Sequence, residues 1–208
     1  MPTTLYTMPG TCALAPNIAA AWVDAPITVE VLARGDHRKP EYLAINPRGQ
    51  VPALRFEDGD VLTEAAAIMA WIGAEHGGEG YARDERLGRK EAEALSYMTS
   101  EVHAAIKPHF ASQRFARSEA AQEEVKEAAY ERLREHYRRL EETLAAAGDW
   151  YLGERSFADA YLYVLERWMD LTPIRIADYP ALAAHRERME RDEGVRTALA
   201  RQGMEPIG

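Results

Sequence analysis

Cys12 is the only thiol in 208 residues, and it stands between Pro9-Gly10-Thr11 and an alanine-rich run, where a short strand gives way to a helix. The N-terminal end of a helix offers unsatisfied N–H groups and the positive end of the peptide dipoles, and both favour a thiolate over a thiol. By residue type alone such a cysteine is usually buried and inert; its position makes it a reactive candidate. Three residues on stands Ala15, so no second thiol can resolve an internal disulfide, and any thiol exchange needs an external partner. Gly49-Gln50-Val51-Pro52 leads from a loop into a second strand. The ordinary reading is an edge-strand proline. The chemical reading is a cis Val51-Pro52 bond that turns the Val51 N–H and C=O outward to pair with an extended peptide. Thr63-Glu64-Ala65 opens another helix, either as a plain N-cap or as a place where free amides receive a carboxylate while Glu64 accepts an ammonium. One small peptide carrying both groups would satisfy both.

The elements that must position these residues divide near residue 80, where Gly77, Gly78 and Gly80 interrupt the pattern. Proline and glycine concentrate before that point and charge concentrates after it. In the first part, Thr3 to Met8 and Ile27 to Leu32 read as strands, with a helix from about Cys12 to Val23 between them and Pro16 in its first turn. Such a βαβ unit implies parallel strands with a right-handed crossover. A short helix at Glu41 to Ile45 precedes strands at Pro52 to Phe56 and Val61 to Thr63, joined by a hairpin turn at Asp58-Gly59, and then the helix that carries Ile68, Trp71 and Ile72. The second part reads as helix almost throughout: Arg83 to Ala111, Glu119 to Ala147 with a favourable Glu135–Arg139 pair, the apolar stretch Ser156 to Leu171 as the central helix, and shorter helices after Pro180 and Gly194. The expected domains are 1–78, α/β, and 84–208, all-α.

Composition sets the outer bounds. Hydrophobic residues make up 47% and charged residues 28%, ordinary globular usage. The net charge of −9 opposes binding to nucleic acid or to an anionic membrane surface. A single cysteine fits a reducing cytosol and excludes a cysteine-clustered metal site. The N-terminal residues show neither the basic nor the apolar region of a signal peptide, and no apolar run spans a bilayer, so a cytoplasmic protein is expected.

Five stretches, in order along nearly the whole chain, resemble the cytosolic glutathione transferases, specifically the bacterial beta-class branch. They are L-Y-T-M-P-G-T-C-A-L-A-P (Leu5 to Pro16), Y-L-A-I-N-P-R-G-Q-V-P-A-L (Tyr42 to Leu54), D-G-D-V-L-T-E-A-A-A-I (Asp58 to Ile68), E-V-H (Glu101 to His103) and S-F-A-D-A-Y-L (Ser156 to Leu162). The resemblance implies a thioredoxin-like N-terminal domain, an all-helical C-terminal bundle, a homodimer, and glutathione as co-substrate with no cofactor or metal. It implies a transferase that joins glutathione to small electrophiles or exchanges it with them, with Cys12 either donating a hydrogen bond to the glutathione thiolate or binding it covalently. A reductase, isomerase or dehalogenase on the same fold, or a non-catalytic binding protein, are the alternatives. Carried over position by position, Cys12 faces the glutathione sulfur and Val51, before cis Pro52, pairs with the cysteinyl backbone. Glu64 accepts the γ-glutamyl ammonium, with Ala65 beside it at the helix start. Tyr6 lies beside the site, His103 reaches toward the thiol, and Ser156 with Asp159 forms an N-capping box. Departures accompany these matches: Ala65 stands for the usual serine, Ala13 lacks the hydroxyl often found after the cysteine, and Ser96 replaces a longer cross-dimer residue. The resemblance leaves the glycine carboxylate to one of Arg34, Arg38 and Lys39, with Lys39 favoured. His109, Phe110 and Phe115 are candidates for lining the acceptor pocket, against their ordinary reading as bundle core; His103, beside Val102 and Ile106, has the same ordinary reading.

Overall fold

The computed structural model describes residues 2–77 and 85–207, which fall into two compact units: residues 2–77, 85–92 and 188–207 in one, and residues 93–187 in the other. The boundary expected between residues 78 and 84 lies outside the described residues. The C-terminal segment 188–207, expected to belong with the helical part, clusters instead with the N-terminal unit.

In that unit, β1 (Thr4–Thr7), β2 (Thr28–Val31), β3 (Ala53–Arg55) and β4 (Val61–Thr63) form one sheet in the order β2-β1-β3-β4. β1 and β2 are parallel because α1 (Leu14–Trp22) carries the chain back between them; β3 runs antiparallel to β1 and to β4. The β3–β4 hairpin closes with Phe56 N–H donating to Asp60 C=O at 2.9 Å and Asp58 Oδ1 accepting from Asp60 N–H at 3.0 Å, while Gly59 takes a φ of +96°. Side chains alternate across β1 and β3. Leu5 faces Leu54 on one side of the sheet, and Tyr6 faces Ala53 on the other, where Leu32 and Tyr42 complete a buried cluster.

α2 (Pro40–Leu43) begins on proline, and α3 (Ala65–His76) packs against α1 and the sheet. α8 (Pro180–Arg191) and α9 (Glu193–Arg201) end the chain, and α9 docks on α1. Asn17 donates its amide to the Ala198 carbonyl at 3.1 Å, and the Trp22 indole donates to Asp192 at 2.7 Å. These contacts tie the segment to the sheet unit, a tertiary pairing that periodicity does not encode.

In the helical unit, the long helix expected from Arg83 to Ala111 is interrupted. α4 (Glu85–Tyr97) passes into a π-helical turn at Met98–Val102 before α5 (His103–Ala111), and residues 83 and 84 lie outside the described region. Thr99 Oγ1 donates back to the Leu95 carbonyl at 2.7 Å inside this break, a local alternative to the helical ladder. α6 (Glu119–Ala147) is capped by Ser118 and ends at Gly148, where φ is +103°. Its Arg139 does not pair with Glu135: the guanidinium lies over the Tyr97 ring at 5.3 Å, where it gains a cation–π contact. α7 (Phe157–Met169) is central, every residue but Arg167 buried, and starts at the Ser156–Asp159 capping box. Glu141 of α6 caps α8 by accepting from the Ala181 and Leu182 N–H groups, both at 2.9 Å.

Candidate functional site

The turn between β1 and α1 sets the cysteine. Gly10 takes a φ of +77°, Thr11 Oγ1 donates to the Met8 carbonyl at 2.7 Å and accepts from Ala13 N–H at 3.3 Å, and α1 begins only at Leu14. Cys12 therefore sits in the turn ahead of the helix rather than in its first residue, half-buried, beside the helix N-terminus. Its Sγ lies 3.9 Å from the Val51 carbonyl, as a weak S–H donor would.

Val51 is presented by a loop that is tied down on one side. The Tyr42 hydroxyl and the Asn46 amide both donate to the Gln50 carbonyl, at 2.6 and 2.8 Å. Gly49, with φ +59°, passes so close to His37 that a Cβ there would lie 2.9 Å from the His37 carbonyl oxygen. The Val51-Pro52 peptide is cis, and Pro52 is buried. The thiol and the Val51 backbone ahead of the cis proline thus lie in one place.

Glu64 directly precedes α3 in an unusual conformation, φ 72° and ψ 120°, and no side chain caps that helix. Its carboxylate is exposed and accepts from the Arg48 guanidinium at 3.0 Å. The plain N-cap reading of Thr63-Glu64 is therefore replaced by a helix start whose leading amides stay without a side-chain partner. Ala65, beside it, is buried and offers only its backbone.

Around this core the other expected residues fall out as follows. Tyr6 is buried, its ring edge-on to Tyr42 at 5.6 Å, and burial followed by the Glu30 charge holds its phenol above the usual value. Lys39 is committed to Asp36 at 2.6 Å, and that hydrogen bond raises the lysine and lowers the carboxyl. Arg34, by contrast, lines a cleft of about 390 Å³ together with Met8, Pro9, Val31, Leu32 and Ala33, next to the turn that carries Cys12.

The remaining candidates belong to the helical unit. His103 Nδ1 is 2.7 Å from the Tyr161 hydroxyl, and the Trp168 ring meets the imidazole edge to face at 4.8 Å. Burial, then the Lys107 charge, lowers its pKa to about 4, so the imidazole is neutral near pH 7. Phe110, half exposed, packs against Trp168 at 5.8 Å and against His109 at 4.9 Å, and His109 pairs with the Tyr130 hydroxyl at 2.8 Å. Phe115 is 52% exposed, and among the described residues no ring packs on it. Sequence reasoning missed Tyr161, Trp168 and Arg48. The spacing was available for two of them: 103 and 110 on α5, like 161 and 168 on α7, are seven apart and so share a helix face. Among the described residues no group of His, Cys, Asp and Glu side chains is arranged to hold a metal, and no helix is long and apolar enough to cross a membrane.

Known proteins share this sequence pattern and fold. Residues 11–75 match the glutathione S-transferase N-terminal domain and residues 123–188 the glutathione S-transferase C-terminal domain. Glutathione S-transferase GST-4.5 of Xanthomonas campestris pv. campestris is 33% identical, covering 96% of this chain and 98% of its own. A sphingomonad glutathione S-transferase solved in complex with glutathione superposes with a TM-score of 0.83 at 33% identity, covering 96% of this chain and 98% of that one. The beta-class glutathione S-transferase of Sphingomonas chungbukensis superposes with a TM-score of 0.81 at 31% identity over 97% of this chain and 99% of that one. The chain belongs to the glutathione S-transferase family, with a thioredoxin-like N-terminal part and a helical C-terminal part.

Proposed function

We propose that this protein is a glutathione transferase in which Cys12 lies at the glutathione sulfur and the tripeptide is the co-substrate. The observation that carries the reading is the Cys12 Sγ to Val51 carbonyl contact at 3.9 Å, which unites a thiol just ahead of a helix with backbone that, among the described residues, lies outside the strand registers. Val51 N–H and C=O pair with the cysteinyl residue, Glu64 takes the γ-glutamyl ammonium, and the amides at the start of α3, Ala65 among them, take its carboxylate. Arg34 on the cleft wall is better placed than Lys39 for the glycine carboxylate, because Lys39 is already neutralised by Asp36.

In conjugation, the glutathione thiol gives its proton to solvent and its sulfur attacks the electrophilic carbon. A C–S bond forms and the leaving group departs with the electron pair of the broken bond. The helix end stabilises sulfur charge electrostatically. In thiol exchange, the Cys12 thiolate attacks oxidised glutathione, a Cys12–glutathione disulfide forms, and one glutathione thiolate leaves. His103, held neutral by burial, acts as a hydrogen-bonding group rather than a cation. The aromatic row of Phe110, Trp168 and His109 supports an acceptor site for flat or apolar electrophiles, with Phe115 at its margin. The lone cysteine supports a cytoplasmic protein, and membership of the family supports a homodimer that clears reactive electrophiles.

The test is turnover of an aryl halide with reduced glutathione, together with intact mass after exposure to oxidised glutathione. We expect conjugate formation and one glutathione adduct on the wild type that Cys12→Ser lacks. Activity on a mixed disulfide without aryl halide turnover would favour the reductase reading, and failure to bind immobilised glutathione would favour a non-catalytic role.

A further inference from the structure

Arg48 has no part in the reading above, yet it pairs with Glu64, the residue read there at the γ-glutamyl end. Its backbone is fixed: its N–H donates to Asn46 Oδ1 at 3.2 Å, Gly49 N–H donates to the Asn46 carbonyl at 2.9 Å, and the loop is tied to Tyr42 and Asn46 through Gln50. Its guanidinium is open to solvent, 62% exposed, and reaches Glu64 Oε1 at 3.0 Å. A guanidinium has five N–H donors, and among the described residues Arg48 uses one of them, on Glu64.

The ligand end that meets this pair is an α-amino acid, with an ammonium and a carboxylate on one carbon. Glu64 alone would hold the ammonium and leave the carboxylate to backbone amides, in a protein of net charge −9 where Ala65 provides no hydroxyl. An arginine–glutamate pair lying side by side matches such a zwitterion charge for charge. The glutamate faces the ammonium, and the arginine faces the carboxylate with the planar donor fork that suits it. Because the pair is solvent-exposed, it holds itself together weakly and yields readily to the ligand.

We propose that Arg48 binds the α-carboxylate of the γ-glutamyl residue and, with Glu64, selects peptides whose first residue carries a zwitterionic α-amino acid. This assignment rests on the glutathione reading. It makes Arg48 a ligand-binding residue that takes over the role left open by Ala65.

The experiment is calorimetric titration of wild type and Arg48→Ala with two tripeptides: glutathione, and γ-aminobutyryl-cysteinylglycine, which keeps the amine and lacks the α-carboxylate. A charge-assisted hydrogen bond is worth about 1.5–3 kcal/mol, so Arg48→Ala weakens glutathione binding by roughly tenfold or more. It leaves binding of the carboxylate-free tripeptide within about twofold, and Arg48→Lys restores part of the loss. An equal loss for both tripeptides would show that Arg48 merely orients Glu64 and would overturn the assignment, as would tighter glutathione binding in Arg48→Ala. A wild type that binds neither tripeptide would overturn the glutathione reading itself, a result distinct from either of these. Circular dichroism of the variants, altered at an exposed side chain, establishes that they are folded.

Discussion

Replacing His185 by Leu removes a cation from a fully buried polar cluster. His185 on α8 is fully buried, with Nδ1 2.8 Å from Glu166 and Nε2 3.2 Å from Asp159, both on α7 and both fully buried. Asp159 has other support, accepting from Tyr151 N–H, Ser156 N–H and the Ser156 hydroxyl at 2.7, 2.7 and 2.9 Å. Glu166 has no such hydrogen-bonded support: among the described residues its Oε2 has no hydrogen-bond partner. Stripping one member from a buried ion pair costs about 3–5 kcal/mol, because the remaining charge is stranded. For a chain of this size each kcal/mol is worth about 2–4 °C, so His185→Leu melts roughly 6–20 °C lower. The pH dependence has a definite sign. Burial lowers the His185 pKa, but the Glu166 and Asp159 carboxylates outweigh it and hold the group at about 9, above its unfolded value of about 6.5. Stability from the imidazolium is complete below pH ~6.5 and is lost as pH rises through 9, about 3 kcal/mol in all. Urea titrations across this range should show the gap between wild type and His185→Leu narrowing as pH rises. Removing the stranded carboxylate as well, in His185→Leu with Glu166→Met, recovers part of the loss. A single variant within about 1 kcal/mol of wild type at pH 6.5, or a double variant less stable than the single, would refute the reasoning.

Two other consequences follow from the packing and the site. A Cβ on Gly194 would sit 2.4 Å from Trp22 Cδ1 and 3.0 Å from its Nε1, so Gly194→Ala displaces an indole that donates to Asp192, itself the cap of α9 through Val195 N–H. Urea denaturation of this variant should show a loss of about 1–3 kcal/mol, and an unchanged midpoint would contradict the docking of α9 on α1. His103, with its pKa lowered to about 4, stays neutral above pH 5, so proton NMR of its ring should show a titration midpoint below 5. His103→Asn should leave the pH profile of kcat/KM unchanged in shape between pH 5 and 8; loss of a limb in that range would mean the histidine is acting as an acid or base.

How far these features could be read in advance depended on whether they were local. The parallel β1–β2 pair, the hairpin at Asp58-Gly59 and both ends of α6 follow from the βαβ spacing, turn residues and caps, and the cis Val51-Pro52 peptide followed from its motif. The π turn at Met98–Val102 was illegible because apolar residues continue at near-helical spacing through it. Asp159 was legible as a capping-box residue, but its second duty toward His185 was not: His185 lies in a charge-laced segment, and Glu166, though set in an apolar helix, is a residue type that ordinarily turns to water. Arg48 was hidden for a related reason, since an arginine in a polar loop reads as solvated until the fold sets it beside Glu64. Lys39 looked available for a ligand carboxylate, and its tie to Asp36 is a local i,i+3 contact that spacing could have suggested. The docking of α9 on α1 joins residues far apart in sequence and has no local signature at all.

The central claim is that the start of α3 and the Val51 backbone hold glutathione with its sulfur at Cys12. Calorimetric titration of glutathione into wild type and Glu64→Ala tests it most directly. We expect a saturable isotherm with one site per chain, weakened roughly tenfold or more in Glu64→Ala, as loss of a charge-assisted contact to the γ-glutamyl ammonium requires. No binding to the wild type, or equal affinity in the two proteins, would contradict the account.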